Sequence, residues 1–339
     1  MLTASALQNV NSQQQIQIVA QCLPSQAQTV NHKPLFEEIL EIIQSRALQP
    51  PYITITHAVP EMRTMNEVPT SPPATPSASN TGDEYFGNQS VFTHAAVVPT
   101  YHNQNHNLTT SLPRPSNNIV APSTINLSIL ERYIPPTSPR EVHDFFSLGG
   151  RSYMVDRLSE LSVNHGSMLL VYPTKAGART FAKRYLGPIV EPFLRQFVLL
   201  NNLYSDAAAA LGRMAATESM FDFDEMSTHV QTMCQVMSQR PASRGLRGRY
   251  EIVHAETAQV ILERSIWTDW YVEQEQARLR NDLVEYHKSG GRMPSPRGQV
   301  EVTTGMLARE VVEGIRNSKA AAGQAGIEVG VFLIRRSAL

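Results

Sequence analysis

Between Pro69 and Pro139 the chain holds eleven of its 22 prolines, and from Pro69 to Leu130 only Asp83, Glu84 and Arg114 carry charge. A segment of that composition cannot bury enough apolar surface to offset the entropy of ordering it. The 339 residues therefore divide. Residues 61–122 read as a proline-rich, low-charge linker or insertion, and residues 123–339 as one α/β domain. Residues 34–60 supply a helix and a strand that can dock on that domain. If they do, the proline-rich stretch is an insertion inside one fold. The first 32 residues hold no charged side chain and eight glutamines, so residues 1–33 read as a disordered head of the kind that makes weak contacts. The fold class expected is a Rossmann-like layered sheet with a disordered Gln/Pro-rich N-terminal third.

The periodicity supports that division. Pro34 is a favoured first-turn residue, and Leu35, Ile39, Ile42 and Ile43 then share one helix face. Tyr52–Thr56 alternates as a short strand, and Ser90–Val98 is a second strand or a docking segment. From Thr124 onward strands and helices take turns. Thr124–Leu130 is a strand; Arg140–Phe146 and Arg151–Leu161 are helices. Ser167–Tyr172, between an Asn-His-Gly turn and Pro173, is a buried, parallel strand. Helices follow over 175–186, 188–200, 206–220 and 224–239. Tyr250–Glu263 makes one or two strands, 265–288 and 306–317 are helices, and Gly326–Ile334 closes the chain as a strand. Alternation of this kind indicates an α/β domain with a substantially parallel sheet.

Several chemistries are missing. There is no G-x-x-x-x-G-K-[ST] phosphate loop and no G-x-S-x-G nucleophile elbow. Cys22 and Cys234 are too few for a zinc cage or a disulfide scaffold. His102 and His106 have ligand spacing but lie in an Asn-rich loop without a supporting carboxylate or thiolate, so no metal site is assigned. His143 beside Asp144 reads as an inert surface pair. No run approaches the roughly 18 apolar residues of a membrane span. With 29 basic and 30 acidic side chains, nucleic acid is not indicated as a partner. An intracellular protein of nucleus or cytoplasm, not secreted, is expected.

Leu158–Val171, a helix feeding an Asn-His-Gly turn and an apolar strand, resembles the fifth-strand region of class I S-adenosylmethionine methyltransferases. The closing Gly326–Arg336 strand is similar to the last antiparallel strand of that fold. Together they span about a third of the chain. The resemblance implies a glycine-rich turn after the first strand, where backbone approaches the cofactor closely. No two glycines here are spaced G-x-G. The place expected for that turn, before Thr124, is proline-rich, and no acid is assignable to the ribose hydroxyls.

Two readings follow. The first is a non-catalytic regulatory or scaffold protein on a degenerate methyltransferase-like domain, without cofactor and working through other proteins. Ser71, Thr75 and Ser138 each precede a proline and are its candidate phosphorylation sites. The second is a methyltransferase with an atypical cofactor loop, in which Tyr172, Thr174 and Lys175, at a strand's carboxyl end, would hold S-adenosylmethionine. Trp267, Trp270 and Tyr271 share one side of a helix; core packing is the plainer role, and an interface anchor the alternative. The Arg240–Arg249 loop carries four arginines and no acid, a place for phosphate or an acidic partner.

Overall fold

The structure is a computed structural model, and it describes residues 16–23, 35–46, 53–60, 93–100, 118–148, 152–240, 247–295, 301–318 and 325–339. Seven strands form one sheet: β1 (Ile16–Leu23), β2 (Ile53–Pro60), β3 (Thr93–Thr100), β4 (Leu127–Arg132), β5 (Asn164–Pro173), β6 (Gly248–Val260) and β7 (Ile327–Ala338). Their order is β3-β2-β1-β4-β5-β7-β6. The first five strands run parallel, and β7 lies antiparallel between β5 and β6. This is a Rossmann-like layered sheet, with the reversed strand where the resemblance to class I methyltransferases puts it.

β1 arises from the glutamine-rich stretch, so the reading of residues 1–33 as a head outside the fold does not hold for Ile16–Leu23. The physical reason is two-sided burial. Ile16, Ile18 and Ala20 pack with Phe36, Ile39, Leu40 and Ile43 of helix α1 (Leu35–Arg46), while Val19 and Leu23 enter the core on the opposite face. A strand with parallel neighbours on both edges buries both faces and needs no charge. Asn126 fastens it to β4: its side chain accepts from the Gln17 N–H at 2.9 Å, and its own N–H donates to the Gln17 carbonyl at 3.0 Å.

Residue 123 is therefore not the start of the domain. β2 is a strand of the sheet and α1 packs on the face of β1 and β2, while β3 falls within the proline-rich stretch, which makes that stretch an insertion inside one fold. Residues 61–92 and 101–117 lie outside the described residues.

After β4 come α2 (Pro139–Phe146) and α3 (Tyr153–Glu160), then β5. The irregular start of β5 depends on Gly166, where a Cβ would meet the Ser162 amide nitrogen at 2.5 Å and the Ile125 carbonyl at 2.7 Å. Beyond β5 the chain continues through α4 (Lys175–Thr180), a π-helical turn at Phe181–Leu186, and α5 (Gly187–Leu200). α6 (Ser205–Leu211) is shorter than the expected 206–220 helix, because the chain breaks at Gly212 and re-forms only a single 3₁₀ turn at Thr217–Ser219. α7 (Phe223–Gln239) opens on a capping box between Asp222 and Glu225. It lays Met226, Val230, Met233 and Met237 against the sheet, so the methionine stripe is core. α8 (Arg264–Lys288) and α9 (Thr304–Asn317) cover the other face with α5.

Candidate functional site

Open α/β sheets bind ligands in the crevice at the carboxyl ends of their strands. Tyr172 and Pro173 end β5, and Thr174 and Lys175 follow, as the sequence predicts. Their side chains are committed to the fold. Tyr172 is 1% exposed, with its ring 4.6 Å from Phe145 and 5.2 Å from Phe146, centroid to centroid. Both phenylalanines come from α2, whose buried side is Glu141, Val142, Phe145 and Phe146. Phe146 also meets Phe221 edge-on at 5.4 Å.

Thr174 caps α4 by accepting from the Gly177 N–H at 3.1 Å, and donates to the Glu328 carboxylate at 2.6 Å. Gly177 is needed there, because a Cβ would run into the Glu328 carbonyl. The Lys175 ammonium donates to the Glu218 carbonyl at 2.9 Å and lies 3.5 Å from that residue's carboxylate. Arg179 approaches the same carboxylate at 2.9 Å and, with Lys175, holds it below the usual carboxylate range.

The strand order reverses between β1 and β4, and a second set of polar groups gathers there. Cys22 is paired in register with Glu131, and Leu23 with Arg132. Glu131 and Tyr133 share one side of β4's end, and the Tyr133 hydroxyl donates to the Glu131 carboxylate at 2.6 Å. Burial pushes Glu131 up to about 7; the Tyr133 hydrogen bond opposes the shift and Glu38 of α1 adds to it. Burial, and then the Glu131 charge, raise the Cys22 thiol well above its ordinary value. Cys22 is no thiolate nucleophile at neutral pH.

Arg132 leaves β4 toward α2 and α8, and is 1% exposed. Its Nε donates to the Ile134 carbonyl at 3.0 Å, one terminal nitrogen pairs with Glu141 at 2.7 Å, and the other donates to Gln274 at 2.5 Å. The Gln274 amide donates onward to the Pro135 carbonyl at 2.9 Å and to Glu275 at 3.0 Å. Glu275 accepts from the Thr137 hydroxyl at 2.8 Å and pairs with Arg278, which also reaches Asp282 at 2.6 Å. Two arginines, Arg132 and Arg278, serve three carboxylates, Glu141, Glu275 and Asp282, along this chain, which ties β4, α2 and α8 together over the carboxyl edge. None of these residues stood out in the sequence. Glu275, Arg278 and Asp282 have the i, i+3, i+7 spacing of an ordinary solvated helix face.

The remaining sequence candidates separate in space. Trp267, Trp270 and Tyr271 are all buried. Trp267 meets Phe181 edge-on at 5.5 Å, and Trp270 stacks on Tyr133 at 6.0 Å. They are core, not an exposed interface. Asp144 forms its ion pair with Arg140 at 3.6 Å, and no pairing with His143 is seen among the described residues. Ser138 is the N-cap of α2. Ser71, Thr75, His102, His106 and residues 241–246 of the arginine loop lie outside the described residues; Arg240, Arg247 and Arg249 are exposed. A groove of about 390 Å³ between α8 and α9 is lined by Arg280, Ala308, Arg309, Val312 and Arg316 among others, and by none of the residues at the carboxyl edge. No group of acids, histidines and cysteines with metal-binding geometry exists among the described residues, and no described helix is long and apolar enough to cross a membrane.

β1 also moves the place where a glycine turn belongs. It is not the stretch before Thr124 but residues 24–34, Pro-Ser-Gln-Ala-Gln-Thr-Val-Asn-His-Lys-Pro, which contain neither glycine nor acid. β2 itself holds no acid; Glu61 follows it directly in the sequence, outside the described residues.

No protein-family model and no curated protein sequence matches the chain. Among solved structures, a loganic acid methyltransferase with SAH is similar at 9% identity and a TM-score of 0.48, over 98% of this chain and 88% of that one. Within this chain, antiparallel β7 agrees with the antiparallel closing strand expected of Gly326–Arg336.

Proposed function

We propose that this chain is a non-catalytic regulatory or scaffold protein built on a degenerate class I methyltransferase-like domain. The observation that carries the reading is the occupied carboxyl end of β5, where Phe145 and Phe146 lie on Tyr172. Thr174 and Lys175 beside it are spent on a helix cap and an ion pair. The glycine-free connection between β1 and α1 supports it further, since a side chain at every position keeps backbone away from a ligand. In this reading the protein takes no cofactor and acts through other proteins in nucleus or cytoplasm. Proline-directed phosphorylation of Ser71, Thr75 and Ser138 controls it, and the exposed Arg240, Arg247 and Arg249 meet phosphate or an acidic partner.

A second reading, a methyltransferase with an atypical cofactor loop, is favoured by the polar group of Cys22, Glu131 and Tyr133 at the β1–β4 switch point. One titration separates the two. S-adenosylmethionine or S-adenosylhomocysteine at a hundredfold excess over Kd would add about 2.7 kcal/mol to the stability of a binding protein, a Tm rise of about 5–10 °C. The scaffold reading expects no shift from the well-folded full chain. A saturable rise would replace it with the enzyme.

A further inference from the structure

We infer that phosphorylation of Ser138 unseats α2 and uncovers the Tyr172 end of the sheet, so that this helix is a phosphate-released plug. The inference rests on the regulatory reading above and names its control point.

Ser138 and Pro139 are the one candidate phosphorylation pair of the three that stands at a described element of the fold. Ser138 is half-buried in extended backbone, φ −136° and ψ 154°, with exposed Pro139 and Arg140 following. Its hydroxyl accepts from the Glu141 N–H at 3.3 Å and caps the helix. A phosphate there brings about 1.5–2 negative charges. At most helix N-termini that charge is welcome, because it faces the positive end of the helix dipole.

The surroundings of Ser138 oppose it. The Glu141 carboxylate, in the first turn of the same helix, accepts from the Thr137 N–H at 3.0 Å, and Glu275 accepts from the Thr137 hydroxyl at 2.8 Å. Two carboxylates thus flank the residue next to the phosphate, and Glu141 and Glu275 are both buried, where salt screens little. The nearby cations are already engaged. Arg132 is committed to Ile134, Glu141 and Gln274, and Arg278 to Glu275, Asp282 and two backbone carbonyls. Arg140 is exposed and points one turn along the helix to Asp144 at 3.6 Å. To draw Arg132 to itself, the phosphate must strip it from Glu141.

An independent observation shows that the seated state carries a cost. The Tyr172 hydroxyl beneath α2 is buried and has no hydrogen-bond partner among the described residues, although Arg132 and Glu141 both act on it electrostatically. A buried donor left unpaired favours any rearrangement that exposes it. α2 is eight residues long: the Glu141–Arg132 pair and buried Val142 hold its first turns, and Phe145 and Phe146 cover Tyr172 at the end far from Ser138. Tilting its first turn away from Glu275 moves both rings.

The test uses the full chain prepared with phosphoserine at 138, alongside the unmodified chain and Ser138→Ala, which removes the cap without adding charge. Amide hydrogen exchange is read over residues 142–146. The phosphorylated chain is expected to exchange about tenfold faster there than either control, with α7 unchanged. Exchange equal to that of Ser138→Ala, or slower than in the unmodified chain, would mean the phosphate is an indifferent or a better cap, and overturns the inference. A proline-directed kinase that phosphorylates Ser138 only in denatured chain overturns it as well. Neither failure alters the S-adenosylmethionine titration, and a positive titration leaves the exchange result standing, so the two ideas fail separately.

Discussion

Glu131 and Glu160 are two carboxyl groups whose burial outweighs their partners. Each is pushed up to about 7, Glu131 despite the Tyr133 hydroxyl and Glu160 despite Arg157 and the Ile119 and Val120 amides. Such a group ionises in the unfolded chain first as pH rises. Its contribution is fully present below about pH 4.5 and is lost by about pH 7, a swing of at most about 3 kcal/mol for each group. Replacing Glu131 with Gln removes the ionisation. The Tm difference between Glu131→Gln and the parent should therefore rise in the variant's favour from pH 5 to pH 8, and a flat difference would show that Glu131 stays charged in the folded state. Arg132 obeys a different rule, because it is paired on every side. Arg132→Met leaves Glu141 charged and buried, and should cost about 3–5 kcal/mol in urea denaturation. Arg179→Met, at the exposed Glu218 pair, should cost far less. Near-equal losses would mean that the chain of pairs over the carboxyl edge is not formed.

At the scale of elements, the parts of the fold that announce themselves are those with local punctuation. β5 is an apolar run bounded by an Asn-His-Gly turn and a proline, and α7 carries its apolar residues at helical intervals from Met226 to Met237. β1 lacks such marks. Its eight residues hold two glutamines and no charge, and what makes them a strand is the pair of neighbours β2 and β4, supplied by residues 53–60 and 127–132. The candidate site was legible in the same uneven way. Position was readable, since Tyr172 stands at the end of β5 with Thr174 and Lys175 just after it; occupancy was not, because the phenylalanines that cover Tyr172 belong to a helix elsewhere in the chain and Arg132 meets Gln274 across 142 residues of chain. This gives a prediction about β1 itself. Residues 123–339 made alone would leave the β1 edge of β4 unpaired and its apolar faces half covered, so that fragment should show no cooperative thermal transition. Val19→Asp in the full chain should unfold it too, by burying an unpaired carboxylate. A fragment melting like the full chain would show β1 to be dispensable.

For the whole molecule, the sheet interleaves distant parts of the sequence. β1 sits between β2 and β4, and β7 between β5 and β6, so an early and a late segment each occupy an interior position. Deleting residues 325–339 should then be as damaging as losing β1. β5 and β6 would lose their shared partner together with Ile327, Val329, Phe332 and Ile334, all fully buried. Circular dichroism of that deletion is expected to show loss of the cooperative melt, and a retained melt would mean β5 and β6 can close on each other. The position of β7 has a further consequence during synthesis. Until its residues leave the ribosome, β5 shows a bare parallel-sheet edge and β6 has nothing to pair with. Between the completion of β6 and the emergence of β7 the nascent chain thus carries two unpaired strand borders, and its yield in a cell depends on what shields them over that interval.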